Sequence, residues 1–321
     1  MDKRKIAVIR PKSDGVFYHR FEMPLSLLSG FEFEVIEGFH NTECRPEQYD
    51  AIILNRGLRN QEIAWLHHAK TQGVKIIVDL DDSIYLPTSH PSYHHFLEYH
   101  KEQHIKQCLT IADVVWVTNE MVYNQAKQFN KNVHIVPNAL NYPEQQWNIP
   151  RTHEYFMGGS FGVAHYQDLI EFENKAPEGV VLAGYTDNGY WKQVEKKYKG
   201  KAQFIGALER YEYGVVYSKL DVAFAYLGVR FWEFNKFKSN LKMLEAGAYR
   251  VPFIATLSDP YYEMPPSCGY LCSNKSEWLS AIKKLKDPKR RIEKGMALQE
   301  YTKKKYDLTR INKLRHDTLK H

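Results

Sequence analysis

The chain predicts an α/β protein built from two doubly wound parallel sheets, and three observations carry that expectation. Short apolar runs alternate with helical stretches from end to end, the pattern that strand–helix–strand crossovers impose. At 321 residues the chain is long for one hydrophobic core, so two domains are expected. Between them runs NYPEQQWNIP, Asn141 to Pro150, which is rich in Pro and Asn and has no hydrophobic period.

In the first half the strands are KIAVIRP, FEFEVIEG, YDAIILNR, VKIIVDLDD, ADVVWVTN and NVHIVPN. In the second they are EYFMGGSFG, GVVLAGY, AQFIGAL, LDVAFAYL, VPFIATL and CGYLCSN. Helices are expected over Asn60 to Gln72, with Leu66 and Ala69 on one face, over Asn119 to Phe129 and over Tyr211 to Lys219. Open sheets of this kind bind ligands outside the carboxyl ends of their strands. Two of them therefore predict a site in a cleft where those edges face each other.

A hydrophobic fraction of 43% and a charged fraction of 26% are those of a soluble globular protein. No apolar run approaches the roughly 20 residues that span a bilayer. MDKRKIAVIRP has only Ile6 to Ile9 as an apolar core, so it reads as a first strand and not a signal peptide. Four scattered cysteines, Cys44, Cys108, Cys268 and Cys272, point to a reducing, cytoplasmic setting, and Cys268 and Cys272 lack the second pair a zinc site would need. The net charge is +6, but residues 273–321 alone carry a balance of +9. That surplus, in KKLKDPKRR and KKK, suits DNA or an anionic membrane, or forms a solvated helix face.

The densest chemistry is FNKFKSNLKMLEAGAYRVPFIAT, Phe234 to Thr256. Read as one helix running into a strand, it puts Lys238, Lys242 and Glu245 on a common side, with Ser239 beside them. Two ammonium groups and a hydroxyl suit a nucleotide diphosphate, and the carboxylate suits ribose hydroxyls. An amphipathic surface helix has the same spacing.

With these segments in order, the chain resembles the retaining family 4 glycosyltransferases (glycosyl transferases group 1). The resemblance rests on VKIIVDLDDSIYLP, on VVWVTNEMVYNQAKQFNKNVHIVPNAL with its PNA turn, and on GGSFGVAHYQDL. It continues through AQFIGALERYEYGVVYSKLDVAFAYL, the Phe234–Thr256 signature and the closing SEWLSAIKKLKDPKRR to KKKYDLTR. It implies a GT-B fold: an acceptor-binding Rossmann-like domain over 1–148, a donor-binding one over 149–302, and a terminal helix, 303–321, packed back on the first. It also implies transfer of a sugar, with retention, from a nucleotide-sugar such as a UDP-sugar to an acceptor hydroxyl, without a metal. One departure stands out: many family members have a second glutamate eight residues before the one matched by Glu245, and here that position is Phe237.

Carried over residue by residue, the resemblance puts Lys238, Ser239 and Lys242 on the donor diphosphate and Glu245 on the ribose. Asp14 and Gly15 form a turn beside the phosphates. Gly159 and Ser160 end a strand before a helix whose N-terminus can approach a phosphate. Tyr185, Ala207 and Leu208 frame the base. His165 either bonds the donor or packs in the cleft wall, and Asp168 caps or buttresses its helix. Asp81 and Asp82 orient the acceptor hydroxyl or anchor their loop; an Asp-x-Asp metal reading of Asp79 and Asp81 is the weaker alternative, because the loop is expected away from the phosphate lysines. Arg20, Asn55 and Arg56 grip a charged acceptor or form structural salt bridges. Five histidines, His90, His94, His95, His100 and His104, are expected on a partly exposed helix at the acceptor entrance. The acceptor is expected to be a hydroxylated, for example hydroxymethylated, base in DNA, as in bacteriophage genome modification in a host cytoplasm. The alternatives are a cell-surface or lipid-linked glycan, reached peripherally at the membrane, and a non-catalytic nucleotide- or glycan-binding module.

Overall fold

In the computed structural model, residues 3–11, 13–37, 45–209 and 211–320 are described; Cys44 lies outside them. All twelve expected strands are present, in two six-stranded sheets that are parallel throughout. The chain divides into two compact units. The first holds Met1–Asn138, Phe237–Ser239 and Leu308–His321, and the second holds Ala139–Lys236 and Asn240–Asp307.

The first unit contains β1 (Arg4–Ile9), β2 (Phe31–Ile36), β3 (Ala51–Asn55), β4 (Lys75–Leu80), β5 (Val114–Val117) and β6 (Val133–Ile135), in the order β2-β1-β3-β4-β5-β6. Its central strands are nearly continuous Ile, Leu and Val because helices cover both faces. The edge strand β2 alternates Phe with Glu, and Glu34 pairs with Lys5 at 2.9 Å, which blunts the open edge. After β1 the chain runs helically from Asp14 to Ser26, with a π turn over Tyr18–Glu22. Pro24 follows that turn; a proline ring clashes with the carbonyl four residues back, and the wider π turn relieves the crowding. The helix Leu308–Lys320 completes this unit. Arg4 donates to the carbonyls of Leu319 and Lys320 at 2.7 and 2.8 Å, and the Trp116 indole donates to Thr318 at 3.0 Å.

The second unit contains β7 (Tyr155–Ser160), β8 (Val180–Tyr185), β9 (Ala202–Gly206), β10 (Leu220–Ala225), β11 (Phe253–Thr256) and β12 (Gly269–Cys272), in the order β12-β11-β10-β7-β8-β9. Strand order reverses between β7 and β10 here, and between β1 and β3 in the first unit. Those two switch points are where such sheets open a crevice for a ligand. Trp191, Trp278, Phe172 and Phe224 pack one face of this sheet, and Met243, Leu244 and Phe253 pack the other.

Candidate active site

At the first switch point the acidic loop is a closed electrostatic network. Asp79, at the end of β4, is fully buried and takes two hydrogen bonds from Arg20 Nε (3.0 and 3.2 Å) and one from Nη2 (2.6 Å). Arg20 Nη1 donates to Val136 O at 2.9 Å and Asn138 Oδ1 at 3.0 Å. Arg20, within the π turn, is 1% exposed, so of the two roles expected for it the structural salt bridge is the one formed, and the acceptor contact is corrected. Asn55 and Arg56 point to the loop as well, donating to Asp81 at 3.0 and 2.8 Å. Burial opposes charge on Asp81, but Arg56, Asn55 and Arg20 outweigh it and hold the carboxyl well below its ordinary range. Arg56 adopts φ +58°, a left-handed conformation that costs a non-glycine residue about 1 kcal/mol or more.

Asp82 holds a partner that linear spacing did not suggest. Lys238 Nζ lies 2.7 Å from Asp82 Oδ2, with Arg56 Nη2 at 3.6 Å from the same oxygen. The acidic loop is therefore beside one expected phosphate lysine, not away from it. The single helix read through Lys238, Lys242 and Glu245 is also corrected: helical structure stops at Asn235 and resumes at Leu241. Phe237, Lys238 and Ser239 lie between, where Asn119 Nδ2 donates to the carbonyls of Phe237 (3.1 Å) and Lys238 (3.2 Å). Phe237 packs on the apolar core of the first unit. A glutamate there would be a carboxylate against hydrocarbon. Asp14 is exposed and pairs with Arg10 at 3.0 Å, and Gly15 faces open space.

At the second switch point, Phe161 follows β7 with its ring edge-on to His165, 6.2 Å between centroids, and the Lys242 ammonium sits 5.7 Å from the same ring. His165 Nδ1 lies 3.0 Å from Asp168 Oδ2. Ser160 is buried, and a Cβ at Gly159 would come within 2.8 Å of Phe224 O. Gly159 thus serves close strand packing; the open glycine is Gly162, before the turn Val163–His165. The next backbone N–H groups, Gly228 and Val229 after β10, are already taken by Asp168 (2.8 Å) and Glu171 (3.2 Å). Tyr185 stacks edge-on with Phe204 and accepts, through its carbonyl, the Ala207 N–H at 2.9 Å. Leu208 packs against the core beyond β9.

Glu245, on the helix Leu241–Ala248, is 4% exposed and receives the Tyr217 hydroxyl at 2.7 Å. Burial raises its carboxyl from 4.5 to about 7, against the hydrogen bond from Tyr217 and the positive charge of Lys242. The folded state therefore binds a proton that the unfolded chain has already lost, so this site's contribution to stability is lost as pH rises from 4.5 to 7. Glu245→Gln should flatten that slope, worth roughly 3 kcal/mol across the window; urea midpoints for both proteins at pH 5 and pH 8 check it, and parallel midpoints would refute it.

His90 is buried, whereas His94, His95 and His100 are exposed. His100 sits at φ +47° before the helix Lys101–Ile111, so it does not share a helical face with His104. In the basic tail, Lys305 bonds Glu263 and Lys303 lies over the Tyr142 ring at 5.4 Å, while Lys283, Lys284, Lys286, Lys289 and Arg290 face solvent. Among the described residues no three His, Cys, Asp or Glu are grouped to hold a metal ion, and no helix is long and apolar enough to cross a membrane.

No family model and no curated protein matches the sequence. Solved structures match it across nearly its whole length. Anabaena HepE in complex with UDP and glucose aligns with a TM-score of 0.64 at 13% identity, over 99% of both chains. AviGT4, a glycosyltransferase involved in avilamycin A biosynthesis, aligns at 0.57 and 13%, over 99% of this chain and 97% of that one. A UDP-N-acetylglucosamine 2-epimerase aligns at 0.53 and 11%, over 98% and 94%. The chain has the GT-B fold that its motifs implied.

Proposed function

We propose that the protein transfers a glycosyl group from a nucleotide-sugar donor to an acceptor hydroxyl. The observation that carries this is the grouping at the β7–β10 switch point: the Lys242 cation, His165 backed by a buried carboxylate, and Glu245 on the same short helix as Lys242. Cleaving the sugar–phosphate bond develops negative charge on the departing nucleoside diphosphate. In the second unit Lys242 and His165 stabilise that charge and Glu245 accepts hydroxyl donors from the ribose; Lys238 and Ser239, of the first unit, are assigned to the same diphosphate. The Asn55–Arg56–Asp81–Asp82 network orients the acceptor hydroxyl.

Retention belongs to the same proposal. The aspartates at the two switch points are engaged: Asp79 with Arg20, Asp81 with Arg56 and Asp82 with Lys238 in the first unit, Asp168 with His165 and Gly228 in the second. That favours a same-face route in which a leaving phosphate oxygen takes the acceptor proton, over a covalent enzyme intermediate. The lysines supply the neutralisation a metal would otherwise provide, so transfer should survive EDTA.

For the acceptor we propose a hydroxylated base in DNA, the solvent-facing cations between Lys283 and Arg290 tracking its phosphates. A second reading, a lipid-linked glycan at an anionic membrane, is favoured by the exposed Leu279, Ile292 and Met296 on the same two helices. One experiment tests both levels. The protein is given several nucleotide-sugars, with and without EDTA, together with hydroxymethylated DNA, unmodified DNA or a lipid-linked glycan, and products are weighed by mass spectrometry. Sugar mass on hydroxymethylated DNA alone supports the DNA acceptor, and sugar mass on the glycolipid alone ends it. A nucleotide-sugar epimerised with no acceptor modified would overturn the transferase reading.

A further inference from the structure

Asp168 does two things at once, and both concern the switch point of the second unit. Its side chain is 1% exposed. Oδ1 accepts the Gly228 N–H at 2.8 Å, fixing the loop that leaves β10. Oδ2 lies 3.0 Å from His165 Nδ1, on the segment that leaves β7. One buried carboxylate thus bridges the two strand ends that border the crevice. The surroundings hold it in place. A Cβ at Gly228 would meet Glu171 Oε2 at 2.4 Å and Asp168 Oδ1 at 3.0 Å, so a side chain there would push on the two carboxylates that hold this loop. Asn235 Nδ2 donates to the Gly228 carbonyl at 3.2 Å from the other side.

We infer that Asp168 is a positioning residue that sets the tautomer of His165, keeping the proton on Nδ1 and giving Nε2 to the donor phosphates. This rests on the nucleotide-sugar reading above. A carboxylate offers only acceptor lone pairs, so His165 Nδ1 must donate to it. The proton-exchanging chemistry then falls to Nε2. With Nδ1 committed to Asp168, Nε2 is the nitrogen that meets the leaving phosphate, donating to it when it carries a proton. In the transfer step the sugar–oxygen bond breaks with its electron pair leaving on the diphosphate. The acceptor oxygen bonds the sugar and its proton passes to a leaving phosphate oxygen, while a proton on Nε2 stays there.

Asp168→Asn separates this role from mere support. Asn Oδ1 can keep the Gly228 bond, while its amide can only donate toward His165 Nδ1, which moves the ring proton to Nε2 and removes the anion. Long-range ¹⁵N–¹H NMR of the wild-type protein should show His165 with Nδ1 protonated, and in Asp168→Asn with Nε2 protonated. A wild-type His165 protonated only on Nε2 would overturn the inference even if the variant does not fold. So would a folded Asp168→Asn protein with an unchanged tautomer. If the tautomer behaves as stated but UDP neither binds nor shifts the His165 signals, the positioning role in nucleotide binding and the donor-site reading fall together; UDP binding without sugar transfer overturns only the transferase reading.

Discussion

Asp79→Ala should cost the first unit about 3–5 kcal/mol, the usual penalty for breaking a buried ion pair by removing one partner. Arg20 would keep its bonds to Val136 O and Asn138 Oδ1 but lose three to the carboxylate, leaving a guanidinium that is 1% exposed and uncompensated. A second buried cation stands behind it. Arg315, on the terminal helix, is wholly buried; burial and then Arg20 push it down to about 9, and Asp79 is the group that opposes them. Its guanidinium lies 6.0 Å from the Trp116 ring and donates to Asn312 Oδ1 at 3.1 Å. Removing Asp79 therefore leaves two guanidinium groups in low dielectric with one fewer anion between them. Urea unfolding followed by tryptophan fluorescence measures the loss. A variant within 1 kcal/mol of wild type would show that the pair is not structural, and would return Arg20 to the list of acceptor contacts.

Lys238→Ala should abolish transfer and weaken UDP binding by about 1.5–3 kcal/mol, the range for hydrogen bonds to charged groups. The contact with Asp82 makes a companion prediction with opposite sign. With Lys238 Nζ 2.7 Å from Asp82 Oδ2, a donor phosphate must replace the carboxylate before it can use the ammonium. Asp82→Asn weakens that competitor, so it should bind UDP more tightly than wild type while losing transfer, because the acceptor side of the network is then incomplete. Calorimetry with UDP decides both. Equal affinity in wild type, Lys238→Ala and Asp82→Asn would remove Lys238 from the donor site.

All twelve strands were legible in the sequence, and so was the division into two doubly wound halves. Those features follow from composition over four to eight neighbouring residues, such as AIILN and VVLAG, whose unbroken apolar character already says that both faces are covered. Helical structure over Asp14–Ser26 was less legible, because Gly15 and Pro24 interrupt any helical pattern and only packing supports the π turn between them.

Charge partners were beyond local reading. The residues of the donor signature were visible as types, but spacing grouped Lys238 with Lys242 and Glu245, whereas tertiary structure pairs Lys238 with Asp82, 156 residues away. Arg20 read equally as an acceptor contact or a salt bridge until folding placed it on Asp79, 59 residues on. Glu245 read as a ribose ligand from its position in the signature, and only folding shows it buried with the Tyr217 hydroxyl on its carboxylate. The glycines of β7 suggested room for a phosphate, and strand packing fills that room with Phe224. Sequence periodicity by itself determined the strands and their grouping into two sheets, because hydrophobic burial is roughly additive along a segment. Only the tertiary structure decided which ionisable groups are buried, paired or open to a ligand, because Coulomb and desolvation energies depend on distances between residues far apart in the chain.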